Sequence, residues 1–366
     1  MGKSDYYVIG KRLMIHDIEG RRNFLDPEDM HMSVHMLECK EWEPHVRQVM
    51  KALLRPGDVF VDVGANIGLH TLYAASLVGE QGKVIAFEPV KRIFGILADN
   101  ISINGYINRV RLVNKGVSDE DGQLIIHLYE GQAGGSSLGS YGAAMPNRAE
   151  SSEMVDITTL DREIDEEFVR LVKADVEGFE YKVLKGASKV VSNKNTSVLI
   201  EWLPSFINQF TGEGNAKRLL DYLTAYKTNV YIAKYGQPLE KFKSENLNDL
   251  LEISCDLLFT NEDIDELAGE SHFDNVKKND IPVEKDDYIE KVEKSVSETN
   301  EALIHAEKVY HEAVATHYQL KAALDHSTKA FYEAVDVQNE LKRKLMQPKL
   351  KDLLRCVRNF LIPRKM

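Results

Sequence analysis

The chain has 366 residues, 43% hydrophobic and 28% charged, a balance that allows one large soluble domain with an appendage. A formal net charge of −12 at pH 7 argues against nucleic acid as a partner, because binding a phosphate backbone calls for a basic face. Cys39, Cys255 and Cys356 are too scattered for a disulfide framework or a metal cluster, the start "MGKSDYYVIG" has no signal-like apolar core, and no apolar run reaches membrane-span length. These features predict a cytoplasmic protein.

Residues 1–57 read as a lead-in. "YYVIGKRLMIHD" alternates about a glycine, as a hairpin does, and 41–54 reads as a helix that delivers the chain into a first strand. From 58 to 261 short β-branched runs at 58–63, 83–88, 109–114, 169–175 and 197–202 alternate with helical spacing at 69–79, 90–104 and 179–191. Runs at 229–235 and 255–260 supply closing strands. This alternation predicts an α/β fold, with a mostly parallel sheet covered by helices on both faces. Between the third and fourth runs, 122–130 and 153–161 read as an inserted hairpin around the small-residue stretch "GQAGGSSLGS".

Composition shifts near 262. Residues 262–287 read as an acidic linker. Within 288–346 no Pro or Gly occurs from 289 to 345, and a and d positions are mostly apolar or small through about eight heptads. That predicts a coiled coil on the order of 85 Å long, joining two or three copies of the chain. The last segment, 347–366, is amphipathic and, with Lys342, Arg343 and Lys344, carries about eight net positive charges. It suits an anionic membrane surface, such as the inner face of the plasma membrane, or an acidic protein partner.

"VFVDVGANIGLH" (59–70) is the first chemical signal. A strand ending in Asp62 runs into Gly64, Ala65, Asn66 and Gly68 before a helix, an arrangement that lets a ligand approach the backbone at a helix N-terminus. A turn of this kind also serves packing alone, and the glycine spacing is not that of a dinucleotide loop. The next strand ends in Glu88 and Pro89, placing an acid where it can accept hydrogen bonds from ribose hydroxyls. The strand after that leads to Gly116, Val117 and Ser118, where an adenine ring would lie. Three successive strand ends with suitable groups favour a nucleoside-type ligand over a packing turn.

The fourth strand ends "KADVEGFE". Asp175 and Glu177 are candidates for a general base, with Lys173 two residues before them and Glu201 at the end of the neighbouring strand. Acids also favour a helix start, so capping is the structural alternative for both. Asp175, Glu177 and Glu201 would equally supply hard oxygen ligands to a divalent metal, a possibility not favoured because nothing obvious completes the shell. Trp42 reads as core.

Taken together, "PGDVFVDVGANIGLHTL", "VIAFEP", "SDEDG", "GGSSL" and "VKADVEGFEYKVLKGA" resemble the FkbM family of S-adenosylmethionine-dependent methyltransferases across residues 38–261. The resemblance implies the class I methyltransferase fold: a Rossmann-like, seven-stranded, mostly parallel sheet with its last strand antiparallel. It implies that Asp62, Gly64, Asn66 and Gly68 line the methionine and ribose end of S-adenosylmethionine. Glu88 would take the ribose hydroxyls, and Ser118 would lie near adenine. Glu43 matches an acid common in the family's lead-in helix. The "GGSSL" loop, with Ser136 and Ser137, reads as a wall on the substrate side. The implied reaction is O-methylation of a sugar hydroxyl on a glycan or glycolipid acceptor. By architectural analogy, the coiled coil and basic tail resemble those of chain-terminating methyltransferases of bacterial O-antigen synthesis, in which a rod sets distance from a membrane-bound glycosyltransferase. Two readings compete: a non-catalytic coiled-coil scaffold, and a small-molecule methyltransferase that uses the coiled coil only to oligomerise.

Overall fold

The computed structural model describes residues 6–9, 12–26, 28–29, 31–129, 132–137, 150–166, 168–244 and 246–264. The predicted coiled coil, the basic tail and nearly all of the linker lie outside the described residues. Glu262, Asp263 and Ile264, read from sequence as the first of the linker, are docked on the domain. Arg170 holds Glu262, Tyr231 donates to Asp263 at 3.0 Å, and Ile264 is fully buried.

The lead-in forms strands β1 (Tyr6–Ile9), β2 (Arg12–His16) and β3 (Arg22–Leu25), a small antiparallel sheet, followed by helices α1 (Met32–Cys39) and α2 (Pro44–Leu53). The predicted hairpin and second helix are present; β3 and α1 are additions. Asn100 ties this sheet to the main body by accepting from the Phe24 N–H at 2.6 Å and donating to the Phe24 carbonyl at 3.0 Å.

The main body then alternates as expected: β4 (Val59–Val63), α3 (Leu69–Val78), β5 (Lys83–Phe87), α4 (Lys91–Ile103), β6 (Val110–Val113). The insertion follows, with β7 (Gly116–Val117), β8 (Gly122–Tyr129), β9 (Gln132–Ser137), β10 (Glu150–Thr158) and α5 (Leu160–Glu163). β8 and β10 form the predicted antiparallel hairpin, and a separate four-stranded sheet runs in the order β7-β10-β8-β9. The chain re-enters the main sheet with β11 (Leu171–Ala174), α6 (Glu180–Lys185), α7 (Ser188–Ser192), β12 (Ser197–Trp202), α8 (Pro204–Thr211), α9 (Asn215–Tyr226), β13 (Asn229–Ala233), β14 (Glu240–Lys241) and β15 (Cys255–Thr260).

The main sheet has the order β14-β13-β15-β12-β11-β4-β5-β6. β15 inserts antiparallel between β12 and β13, so the last strand is reversed, as expected. The two-residue edge strand β14 makes the sheet eight-stranded rather than seven-stranded. The single helix expected over 179–191 is two. A Cβ on Gly186, between α6 and α7, would lie 2.1 Å from the Ser118 carbonyl oxygen, so this close backbone approach requires glycine and the helix breaks there.

Side chains along a strand alternate between faces. Val61, Val63, Val172, Ala174, Val198 and Ile200 enter the core under α6, α7 and α9, while Phe60, Leu171, Leu199 and Leu258 enter the opposite core with residues of α2 and α3. By the same alternation Asp62, Lys173, Glu201 and Asp256 fall on the α2–α3 face. Lys173 is directly opposite Asp62 and Glu201 directly opposite Asp256 in the strand register. Period-two geometry thus gathers four ionisable groups from four strands onto one face, at the carboxyl ends of β4, β11 and β12.

Candidate active site

The loop after β4 is wound tightly. Gly64 (φ 81°), Asn66 (φ 51°) and Gly68 (φ 93°) all have left-handed backbone. A Cβ on Gly64 would lie 1.9 Å from the Asp175 carbonyl oxygen, so glycine there lets the β4 and β11 ends touch. The loop's N–H groups are all paired internally: Gly64 and Ala65 donate to the Phe87 carbonyl (3.1 and 2.9 Å), Asn66 to Glu88 Oε2 (3.0 Å), Ile67 to Asn66 Oδ1 (2.7 Å) and Gly68 to the Ala65 carbonyl (2.9 Å). From Gly64 to Gly68 no backbone N–H is left free, because the turn closes on the end of β5. A phosphate-binding loop needs free amides.

What the loop presents instead is a carboxylate. Glu88 accepts from Asn66 N–H on Oε2 and from Val90 N–H on Oε1 at 2.8 Å. A carboxylate has about four lone-pair sites. One on each oxygen remains for the two hydroxyls of a ribose. Burial pushes Glu88 up to about 7, against the pull of these two backbone hydrogen bonds. Gly116 packs against Pro89, and Asn114 ties the carbonyls of Glu88 and Pro89 to the end of β6 (2.8 and 2.9 Å). Gly116 and Val117 pair with Ile157 and Thr158 of β10, and the buried Ser118 donates its N–H to the Thr158 carbonyl at 2.8 Å. The insertion therefore anchors the segment proposed to face adenine. Ser136 and Ser137 lie on β9, at the far edge of that sheet.

Asp62 is fully buried. Its Oδ2 accepts from Thr71 of α3 at 2.6 Å, and its Oδ1 has Lys173 Nζ at 3.9 Å and no hydrogen bond. It sits beneath the loop rather than lining an opening, and acts by tying α3 to β11. Lys173, only 4% exposed, donates to Asp175 Oδ2 at 2.9 Å. Burial works against its charge, but Asp175, Asp62 and Glu43 outweigh that and raise its pKa. Lys173 is thus a fixed cation between the loop strand and the candidate base.

Asp175, Glu177 and Glu201 meet, each offering a carboxylate oxygen within 4.8 Å of the others. Glu177 has left-handed backbone (φ 53°), a conformation that costs a non-glycine residue on the order of 1 kcal/mol and recurs at functional sites. Neither Asp175 nor Glu177 caps the helix. Glu180 Oε1 instead closes the turn ahead of the helix, accepting from Val176 N–H and Gly178 N–H at 3.0 and 3.2 Å. Burial raises Glu180 to about 7, and burial together with Glu177 and Asp175 raises Glu201 well above the usual carboxylate range. Like charges this close oppose joint ionisation, and it is Glu201 whose protonated form this favours. The donor set is also that of a hard divalent cation, which Asp175, Glu177 and Glu201 would hold through oxygen.

Two histidine–carboxylate pairs from the lead-in border this face, and sequence reasoning missed both partnerships. Glu43, at the N-cap of α2 with φ 43°, meets His70 Nε2 at 2.8 Å. His45 Nε2 meets Asp256 Oδ2 at 2.7 Å. Burial favours neutral Glu43, but His70, Lys173 and His45 outweigh it and hold Glu43 well below the usual range. His45 and Asp256 are 211 residues apart, so no local pattern announces the pair.

The reversed last strand, the carboxylate at the end of β5 and the polar cluster at the end of β11 describe a class of α/β proteins that bind a nucleoside-type ligand across adjacent strand ends. Residues 62–231 match the model of the methyltransferase FkbM domain. It is similar to methyltransferase sdnD of Sordaria araneosa, 29% identical over 175 residues that cover 40% of this chain and 67% of that protein. It also resembles protein-L-isoaspartate O-methyltransferase 1 of Archaeoglobus fulgidus, 33% identical over 75 residues, 20% of this chain and 35% of that one. Among solved structures, methyltransferase FkbM from Methylobacillus flagellatus KT aligns over 58% of this chain and 50% of its own, with 15% identity and a TM-score of 0.36.

Proposed function

We propose that the chain is an S-adenosylmethionine-dependent O-methyltransferase acting on a sugar hydroxyl. The observation that carries the cofactor reading is the loop's internal closure. With its amides paired and Glu88 presented, the site suits a ligand that offers hydroxyl donors and a positive charge, not a pyrophosphate. When bound, S-adenosylmethionine supplies an activated methyl group on a cationic sulfur. Glu88 would hold the ribose, Gly64 to Gly68 would let the ligand lie close to the backbone, and Gly116 to Ser118 would flank the base.

Methyl transfer to a hydroxyl needs an aligned oxygen and a group that takes its proton. Asp175 and Glu177 are the candidates. Lys173 fixes Asp175 through Oδ2, leaving Oδ1 to accept from an acceptor hydroxyl. Glu201, holding its proton, would donate a hydrogen bond and orient the same hydroxyl. The carboxylate-lined face supports a neutral, hydroxyl-rich acceptor over a phosphorylated one, which it would repel. The test is transfer of labelled methyl from S-adenosylmethionine to a panel of neutral glycans, phosphorylated sugars and small phenols. Labelling of glycans alone supports the reading; labelling of phenols alone replaces it with the small-molecule alternative.

A further inference from the structure

We infer that Trp42, His35 and Tyr235 form an aromatic platform that holds a pyranose ring of the acceptor next to the carboxylate cluster. The inference rests on the carbohydrate reading above and extends it from the reacting hydroxyl to the rest of the glycan.

Three separate elements bring the rings together. His31 and His35 come from the start and middle of α1, Trp42 from the segment before α2, and Tyr235 from the turn after β13. The His35 ring lies 5.3 Å from Trp42 and 6.4 Å from Tyr235, and His31 lies 5.7 Å from Trp42, all edge to face. His45 meets Tyr235 edge-on at 6.1 Å. Each edge-to-face contact fixes ring orientation and covers one face of one ring in the pair, leaving the remaining faces for something else. Trp42 is only half-buried against the lead-in core, and Tyr235 is 60% exposed. Core packing does not account for a tyrosine left that open between two histidines.

The chemistry of the cluster selects its occupant. Every ring in it has an apolar face and a polar edge. Such a surface matches a ligand with C–H faces and hydroxyl edges, which describes a pyranose, better than the aliphatic face of a partner helix. The carboxylates of Glu38 and Glu43 are near enough to act on the His35 charge. Two residues past Tyr235, Gln237 to Lys241 and Lys243 line an open cleft of about 370 Å³.

The cluster is continuous with the candidate active site. Tyr235 touches His45, His45 is bonded to Asp256, and Asp256 is register partner to Glu201, one of the three clustered carboxylates. Adding one strand spacing of about 5 Å to those contacts puts the platform on the order of 10–15 Å from the carboxylates. A sugar methylated at the cluster would therefore have its neighbouring residues over the rings.

The chain has two tryptophans, and Trp202 is fully buried, so Trp42 is a built-in reporter. The full-length protein is screened on an array of defined neutral pyranose oligosaccharides, and the best binder is titrated while indole emission is followed. The expected result is an emission change in the wild type and at least tenfold weaker binding in Tyr235→Ala and Trp42→Ala. Tyr235→Phe should keep wild-type binding, and S-adenosylmethionine affinity should be equal in all variants. Unchanged glycan affinity in Tyr235→Ala, or binding that leaves indole emission unmoved, overturns the platform. Methyl transfer to a monosaccharide with no oligosaccharide bound also overturns it, but leaves the proposed reaction standing. Failure of every carbohydrate to bind or react overturns both.

Discussion

Glu88 reaches back over the glycine loop to accept the backbone N–H of Asn66 at 3.0 Å, so the end of β5 holds the shape of the turn that follows β4. Cofactor recognition and loop geometry therefore depend on one carboxylate. Glu88→Gln should lower S-adenosylmethionine affinity by roughly tenfold to a hundredfold, the worth of a charge-assisted hydrogen bond. Titration calorimetry giving unchanged affinity would remove the ribose assignment.

The same residue sets a pH dependence. Burial raises Glu88 to about 7, so in the free protein it is mostly protonated at pH 6 and mostly ionised at pH 8. The ionised form accepts two hydroxyls better, so cofactor affinity should rise by about tenfold over that interval. Stability should move the other way. A raised folded pKa means the native state binds more protons than the unfolded chain, so this group's contribution falls as pH rises from about 4.5 to about 7. Affinity flat from pH 6 to 8 in wild type would show that ionisation of Glu88 plays no part in binding.

Gly64→Ala should be severe. The added Cβ would stand 1.9 Å from a backbone oxygen of Asp175, which no side-chain rotation relieves, and φ is +81°. Left-handed strain and overpacking together cost about 2–4 kcal/mol. A melting temperature lower by roughly 5–15 °C is expected, with loss of activity because the β11 end carrying Asp175 must shift. A variant as stable as wild type would show that the loop and β11 are not in this contact.

Asp175→Asn and Glu177→Gln should bind S-adenosylmethionine within about twofold of wild type, since cofactor contacts are assigned elsewhere, yet turn over at least a hundredfold more slowly, the scale of general base catalysis. If EDTA stops the wild type and Mg²⁺ restores it, the clustered oxygens of Asp175, Glu177 and Glu201 hold a metal, and the simple base role is withdrawn. Wild-type turnover in both variants would exclude either role.

Much of this site could be read from the chain because its groups sit at strand ends, where an apolar run stops at a polar residue. Asp62, Glu88, Lys173 and Glu201 were placed that way. What could not be read depends on contacts distant in sequence. The pairing of Glu201 with Asp256 requires knowing that β15 slips between β12 and β13. The Glu43–His70 and His45–Asp256 pairs require docking of the lead-in. Asp175 and Glu177 do not cap the helix because the left-handed backbone at Glu177 and Gly178 delays its start to Glu180. Trp42 reads as core and does pack half-buried against the lead-in core, but only the fold shows that His31 and His35 also meet it.

The linked Asp62, Lys173 and Asp175, the first two buried, offer a test that separates structure from chemistry. Lys173 Nζ lies 2.9 Å from Asp175 and 3.9 Å from Asp62, and Asp62 Oδ1 has no hydrogen bond. Lys173→Met keeps the stem but leaves Asp62 buried without its cation. Breaking a buried pair on one side typically costs about 3–5 kcal/mol, most of it the penalty of the stranded charge. Adding Asp62→Asn removes that charge while keeping an oxygen to accept from Thr71. The double variant should therefore be more stable than Lys173→Met alone, by about 1–3 kcal/mol in urea unfolding. Its catalysis should stay low, because Asp175 has lost the ammonium that fixed Oδ2. Destabilisation that simply adds would show Asp62 and Lys173 to be energetically independent, and full turnover in the double variant would show that Asp175 needs no positioning by Lys173.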